Sequence, residues 1–310
     1  MQSLDDYLFP RPLTFPMNST SYRGRFAPSP TGSLHFGSLI AAVGSYLDAR
    51  YHAGEWLVRI EDLDQTRQVP GAASAILHDL DAFGFQWDGE VIYQSHRSES
   101  YAAALEQLTQ SSLAYPCCCT RKDISKVAQM GREGAIYPGT CRLGPRMEKA
   151  TNCIRLVTQD MDITIDDRLQ GRFTQNLERE IGDFIIRRAD GFHAYQLAVV
   201  VDDAWQGITH VVRGADLINS APRQRYLQQL LNLDQPSYLH LPLATDSTGR
   251  KLSKQSADTP VDSKHPIDSL LQALQFLHQP QPQERPSNLD ELWAWSISHW
   301  KTSSVVLHTN

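Results

Sequence analysis

Strands and helices alternate through the first third of the chain, and that alternation limits the fold to a few architectures. Residues 24–27 read as a short strand ended by Pro28. Apolar or small residues at Leu34, Leu39, Ala42, Val43, Tyr46 and Leu47 predict a helix over 34–50. Residues 56–60 (Trp-Leu-Val-Arg-Ile) read as a strand, and 72–83 and 101–113 as helices. This rhythm builds a parallel sheet with crossover helices, so the expected class is α/β. It breaks at Tyr115-Pro116. The stretch that follows, 116–180, begins with cysteine, glycine and basic residues and reads as an insertion between two halves of one sheet domain. The pattern resumes at 183–188, continues through 194–203 and a strand at 209–213, and leads into a helix over 221–231. Two closing helices are expected at 267–278 and 289–300. The units so defined are an N-terminal extension (1–21), the sheet halves (22–115 and 181–245), the insertion (116–180) and a C-terminal region (246–310).

The composition narrows the setting. Apolar residues make up 41% and charged residues 21% of 310, enough for a sizeable core and an ordinary soluble surface. No apolar run could cross a bilayer, and no apolar block follows a basic start, so no membrane association or secretion is expected. The five cysteines, Cys117, Cys118, Cys119, Cys141 and Cys153, are odd in number and clustered. They fit a reducing, cytoplasmic setting and a metal site better than a disulfide framework. A net charge of −6 argues against a generic nucleic-acid binder. Between Arg121 and Arg155, however, eight Lys/Arg face three acids, a local net of +5. Phosphate attraction acts over a Debye length of about 8 Å, so such a patch can outweigh the total.

Two segments at opposite ends of the chain carry the chemistry. Arg25-Phe26-Ala27-Pro28-Ser29-Pro30-Thr31-Gly32-Ser33-Leu34-His35-Phe36-Gly37-Ser38 is a Gly/Pro-rich turn running into a helix with an early His. Lys251-Leu252-Ser253-Lys254-Gln255 puts two lysines around a serine. Together they suit an enzyme that holds ATP while a carboxylate attacks its α-phosphorus. Gly32 and Gly37 let backbone approach a nucleotide, a helix start near His35 and Ser38 turns N–H groups toward anions, and Lys251 and Lys254, with Mg²⁺, offset the growing charge. His35, Lys251 and Lys254 are thus the candidate catalytic residues, and Gly32, His35, Gly37, Ser38 and Lys254 the candidate ATP contacts. Such sites lie at the C-terminal edge of a parallel sheet. Either segment alone would more often be an ordinary helix start or surface loop.

These segments resemble the two nucleotide-binding motifs of class I aminoacyl-tRNA synthetases, and the first is similar to that of bacterial glutamyl-tRNA synthetases. The resemblance continues through residues 58–64 (Val-Arg-Ile-Glu-Asp-Leu-Asp), Tyr195, 200–203 (Val-Val-Asp-Asp) and 212–216 (Val-Arg-Gly-Ala-Asp), covering about 23–256. Two departures stand out: Ser38 replaces a His in the first motif, and Gln255 a Ser in the second. The resemblance implies a Rossmann-type catalytic domain split by a zinc-containing insertion, with a short helical C-terminal region. It also implies that Arg25, Ser29, Glu61, Tyr195 and Arg213 bind L-glutamate, with Phe26, Ala27 and Pro28 as the pocket wall. Bidentate guanidinium suits a carboxylate, and an acid suits the ammonium. Without the motifs, Glu61 and Arg213 would read as a simple ion pair.

Cys117 and Cys119 stand two apart, with Cys141 22 residues beyond Cys119. Three thiolates make three quarters of a tetrahedral zinc shell. No His lies between His96 and His193, which leaves Tyr137 as an unusual but possible fourth ligand. The resemblance to one synthetase subgroup points to Cys117, Cys119, Tyr137 and Cys141 holding a structural zinc, with Cys118 turned away and Cys153 a packed thiol. After Ser256 only 54 residues follow, too few for an anticodon-reading unit. That shortness, with the cysteine pattern, resembles the glutamyl-queuosine tRNA(Asp) synthetase family. The family relation implies glutamate activation with ATP, then esterification of the queuosine cyclopentenediol in the anticodon stem-loop of tRNA(Asp), by a monomer. The basic insertion is the expected RNA-facing surface. The alternatives are a minimal glutamyl-tRNA synthetase charging an acceptor end, a non-catalytic tRNA-binding relative, and a small-molecule adenylyltransferase.

Overall fold

Arg23–Phe26 (β1) and Glu55–Ile60 (β2) pair in parallel, and Ile92–Tyr93 (β3) adds beyond β2. The crossover from β1 to β2 is the helix Phe36–Tyr51 (α1), and Ala72–Ala82 (α2) follows β2. The computed structural model describes residues 21–144, 152–243 and 261–305. The extension 1–20 and the whole Lys251–Gln255 segment, with Lys251 and Lys254, lie outside the described residues.

The helix Ser98–Gln110 (α3) starts three residues before its expected position. Its apolar face, Tyr101, Ala104 and Leu108, is the one the periodicity picks out. The chain leaves the helix at Ser112, whose φ of 57° is left-handed, so Leu113 belongs to the following turn. The insertion then contributes Ala114–Cys117 (β4), Arg121–Ser125 (α4), a small hairpin of Met130–Gly131 (β5) and Gly134–Ala135 (β6), and Cys153–Leu156 (β7). Asp162–Asp167 (β8) and Gly171–Asn176 (β9) form a second hairpin, closed by Leu177–Glu180 (α5). Phe184–Arg187 (β10), β7 and β4 make an antiparallel sheet.

The second half of the parallel sheet is Tyr195–Trp205 (α6), His210–Gly214 (β11), Ala221–Leu230 (α7) and Ser237–Leu241 (β12). β11 lies beside β1: the Thr209 N–H donates to the Arg23 carbonyl at 3.0 Å. The order is therefore β3-β2-β1 and then β11-β12, and chain direction across the sheet reverses between β1 and β11. That reversal makes a ligand crevice at the strands' C-terminal ends. The β8–β9 hairpin, although inside 116–180, joins this sheet through Tyr238 opposite Asp167. Its turn residue Arg168 also reaches back to Asp48 of α1 at 3.0 Å.

The closing helices, Pro266–Phe276 (α8) and Leu289–His299 (α9), are part of the core rather than an appendix. Leu270, Leu274, Leu277, Leu292 and Trp293 share one buried cluster with Leu39, Val43 and Leu47 of α1. Trp293 Nε1 donates to the Phe83 carbonyl at 3.0 Å, and Trp300 Nε1 to Asp48 at 3.1 Å. A second cluster fills the space between α3, α6, α7 and the sheet. Among the described residues no helix is long and apolar enough to cross a membrane.

Candidate active site

The reversal point gathers most of the expected residues. β1 delivers Arg25, the end of β2 leads to Glu61, α6 begins at Tyr195, and β11 carries Arg213. Pro30, Glu61, Gln94, His193 and Tyr195, with Ser29, line a cavity of about 180 Å³. The Glu61 N–H donates to the Pro28 carbonyl at 2.9 Å, tying the first motif to the end of β2. Ala27 and Pro28 are half-buried beside this cavity, and Ser29 is exposed at its rim. Phe26 is different. It is 7% exposed and stacks on Trp56 at 6.2 Å, so its side chain faces the core and not the pocket.

Beneath the cavity lies a buried charge network that the sequence reading did not single out. Asp203 accepts from Arg25 Nε at 3.2 Å and pairs with Arg59 Nη1 at 2.9 Å. Asp202 accepts from Arg97 at 2.6 Å, Tyr101 at 2.7 Å and Gln94 at 2.8 Å. Arg59 Nη2 reaches Glu61 at 3.4 Å. Three arginines (Arg25, Arg59, Arg97) thus balance three carboxylates (Asp202, Asp203, Glu61). Burial works to raise the Asp203 acid, but Arg25 and Arg59 outweigh it and hold it below the carboxylate range. At Glu61 burial wins, and its carboxyl sits above its ordinary value despite Arg59 and Arg25. A carboxylate left under-compensated in a cavity is suited to a cationic ligand group.

Arg213 adds to that balance only at longer range, where its charge helps to lower Asp203. It is 5% exposed, and among the described residues it makes no ion pair within 4.0 Å. It does not pair with Glu61. Its partners are neutral: Gln224 Oε1 at 2.9 Å, His240 Nε2 at 3.0 Å, the Leu217 carbonyl at 3.2 Å and the Tyr195 hydroxyl at 3.4 Å. Burial raises the Tyr195 phenol, so it stays protonated beside the guanidinium. A buried guanidinium without a carboxylate is costly in the free protein and is offset when an anion binds.

At the start of α1 the His35 ring itself caps the helix. Its Nδ1 accepts from the Ser38 N–H at 3.2 Å, which leaves the proton on Nε2, 3.0 Å from Ser38 Oγ. A Cβ on Gly37 would meet His35 Cε1 and Nδ1 at 3.3 Å, so the small residue makes room for the folded-back ring. At Gly32 a Cβ would meet nothing within 4 Å, and the fold gives no steric reason for glycine there. Asp64, at the pocket mouth, accepts from Thr66 at 2.6 Å, Arg188 at 2.8 Å and Arg67 at 2.9 Å. These bonds push its carboxyl well down and make it a clasp between the two halves.

The cysteines form a separate site. The Cys117, Cys119 and Cys141 sulfurs all lie within 4.8 Å of one another, with Cys119 and Cys141 3.6 Å apart. The Tyr137 hydroxyl lies 3.2 Å from Cys117 Sγ and 3.8 Å from Cys119 Sγ. Ligands about 2.3 Å from a tetrahedral ion stand roughly 3.8 Å apart, so the four donors fit one zinc. Tyr137 is fixed by a bridge to Gly182, where φ is +71° and a Cβ would lie 2.1 Å from the Tyr137 carbonyl oxygen. Arg155 donates to Cys117 Sγ at 3.3 Å and lies 3.8 Å over the Tyr137 ring, a cation placed where anionic ligands would gather. Cys118 does not turn away: its sulfur is 3.9 Å from that of Cys141. Cys153 is buried and donates to the Cys117 carbonyl at 3.2 Å.

The basic patch divides. Arg121, Lys122, Lys126 and Arg132 are exposed, beside exposed Val127 and Met130. Arg142 is bound to Asp183 at 2.6 Å, and Arg155 is buried at the cysteines. Arg146 and Lys149 lie outside the described residues.

Residues 21–270 match the family model for the catalytic domain of class I tRNA synthetases (E and Q). The chain is 53% identical over 289 residues to the glutamyl-Q tRNA(Asp) synthetase of Chromobacterium violaceum, covering 93% of this chain and 97% of that protein. It is 54% identical over 293 residues to the protein of the same name from Dechloromonas aromatica, with the same coverage. The chain belongs to the glutamyl-Q tRNA(Asp) synthetase family. It is a ligase of the class I (E and Q) group. The same fold occurs in the glutamate-tRNA synthetase of Elizabethkingia anophelis, with a TM-score of 0.77 at 24% identity. That match covers 92% of this chain and 66% of the larger one.

Proposed function

We propose that this ligase activates L-glutamate with ATP and Mg²⁺ in the absence of tRNA, then transfers the glutamyl group to queuosine in the anticodon stem-loop of tRNA(Asp). The observation that carries this reading is the buried Arg213, which makes no ion pair among the described residues and reaches the Tyr195 hydroxyl at 3.4 Å, where Tyr195 and the under-compensated Glu61 line one cavity. A dicarboxylic amino acid supplies the missing direct partners: Arg213 and Tyr195 take one carboxylate, and Glu61 takes the ammonium. The other carboxylate, near Arg25 and Ser29, attacks the α-phosphorus and pyrophosphate leaves. A hydroxyl of the cyclopentenediol then attacks the carbonyl carbon, and AMP leaves.

For the nucleotide, the N-terminal turn of α1 would meet the phosphates once the His35 ring, which caps the Ser38 N–H and lies against Ser38 Oγ in the free protein, turns toward them. Lys251 and Lys254 complete the charge in this proposal on the strength of their motif. Cys117, Cys119, Tyr137 and Cys141 would hold a structural zinc that cross-links the insertion. The exposed Arg121, Lys122, Lys126 and Arg132 would meet RNA phosphates, and an unpaired anticodon base is the kind of feature proteins read best.

The test is to incubate the enzyme with labelled glutamate, ATP and bulk tRNA, digest the RNA and identify the labelled nucleoside. Label on queuosine supports the reading. Label on the terminal adenosine, or none with adenylate also absent, refutes it.

A further inference from the structure

The contacts behind Arg213 form a relay that neither its motif nor its neighbours in sequence announce. His240, on β12, is fully buried and has one ring nitrogen on each side of a divide. Its Nε2 lies 3.0 Å from Arg213 Nε, which can only donate, so Nε2 must be the acceptor. Its Nδ1 therefore carries the proton and donates to Asp167 Oδ2 at 2.6 Å. Asp167, at the end of β8, is held in turn by backbone. Its Oδ1 accepts from the N–H groups of Gln170 at 2.8 Å, Leu169 at 3.0 Å and His240 at 3.3 Å. The β8–β9 hairpin of the insertion thus joins the catalytic sheet beside β12 and fixes an imidazole tautomer.

We infer that Asp167 and His240 are positioning residues for Arg213. They hold its guanidinium by a neutral acceptor, so that its charge stays free for a substrate carboxylate. A carboxylate in the place of His240 would make the ion pair itself and compete with the substrate. An imidazole in the other tautomer would set one N–H against another. This arrangement selects for an anionic side chain over its neutral amide. The inference rests on the reading of Arg213 as the carboxylate-binding residue.

Asp167→Asn tests it with almost no change of shape. The amide oxygen can keep the three backbone N–H groups, and the amide nitrogen then faces His240 Nδ1. That forces the proton to Nε2, against Arg213. In glutamate-dependent ATP–pyrophosphate exchange, Asp167→Asn should raise the KM for glutamate about 30-fold, with kcat and the KM for ATP within about threefold of wild type. His240→Gln brings a carboxamide that can turn its oxygen to Arg213. It should stay near wild type, and in its presence Asp167→Asn should have little further effect. His240→Leu removes the acceptor and should raise the KM about tenfold. The inference is overturned if Asp167→Asn leaves the KM unchanged. It is also overturned if the penalty persists in the Asp167→Asn/His240→Gln double variant, or if His240→Leu and His240→Gln behave alike. Arg213→Met separates the two layers: an unchanged glutamate KM there refutes the carboxylate role of Arg213 itself.

Discussion

Arg213→Met should separate stability from binding, because the residue is a buried charge with no ion-pair partner among the described residues. Methionine is close to it in length and carries no charge. Its introduction strips a donor from His240 Nε2, Gln224 Oε1 and the Leu217 carbonyl. At about 1.5–3 kcal/mol each for a charged donor, those three bonds amount to roughly 4.5–9 kcal/mol. Against that stands the desolvation of a guanidinium with no carboxylate within 4.0 Å, which is worth several kcal/mol in the opposite direction. The two largely offset each other, and the ligand-free variant should lie within about 4 kcal/mol of wild type. Binding has no such compensation. Loss of one side of a desolvated charge pair costs about 2–5 kcal/mol, a 30-fold to several-thousand-fold drop in glutamate affinity. A thermal-shift series with and without glutamate measures both. At 100 times Kd, glutamate adds about 2.7 kcal/mol to wild type, a rise of roughly 4 °C for a chain of this length, and the variant should show none of it. A variant destabilised by more than about 4 kcal/mol that still shifts normally with glutamate would make Arg213 a core residue and refute the reasoning.

Three further outcomes are expected. His210 is stacked 3.9 Å from Tyr22, and burial pulls its pKa down to about 4. Between its unfolded value near 6.5 and about 4, only the unfolded chain takes up this proton, so roughly 2–3 kcal/mol of stability is lost as pH falls through that window. Urea titrations at pH 7 and pH 4.5 should show that loss, and a His210→Gln variant should lack it. Tyr137→Phe keeps the ring under Arg155 but removes the oxygen, and zinc affinity by chelator competition should fall by more than the 10–100-fold typical of outer-shell changes; unchanged affinity removes Tyr137 from the shell. Replacing Arg121, Lys122 and Lys126 with Ala should flatten the salt dependence of tRNA binding by about 0.7–0.9 in log–log slope per lost phosphate contact, with adenylate formation intact. An identical slope would exclude that surface.

The strand–helix rhythm of the first half was legible because its periodicities are strong and local. Helices α1 and α2 and strand β2 lie within two residues of expectation, and α7 differs only at its last residue. Strand β12 was not legible. Its Ser-Tyr-Leu-His-Leu sequence puts polar-bearing residues inside, where Tyr238 and His240 are buried by partners from other parts of the chain. The β8–β9 hairpin was hidden for a related reason. Asp162, Asp166 and Asp167 look like surface, yet Asp167 is buried by its bonds to β12 and its own turn. The closing helices are legible as helices from their periodicity, but the packing of Trp293 and Trp300 onto α1 is a tertiary contact that no local pattern encodes.

Four arginines of the candidate site look alike in the sequence: Arg25, Arg59, Arg97 and Arg213. Their difference is one of compensation, and compensation is tertiary. Asp202 and Asp203, about 140 residues beyond Arg59, cancel the first three with the help of Glu61. Among the described residues Arg213 is supplied with neutral acceptors, from β12, α7, the Leu217 carbonyl and Tyr195. Motif spacing can name the residues that meet at a pocket, but it cannot sum their charges. In the proposed function the local imbalance sets the preference: Arg213 meets the Asp167 charge only at one remove, through neutral His240, so a ligand carboxylate supplies its direct partner and a ligand cation meets Glu61. An amino acid with a neutral side chain leaves Arg213 buried and unpaired, which is the larger part of the discrimination. Glutamine should therefore fail as a substrate chiefly through what it leaves unsatisfied at Arg213. In Arg213→Met, with that penalty gone, the preference for glutamate over glutamine in the exchange assay should collapse toward unity. Retention of a strong preference would place the selectivity elsewhere in the pocket.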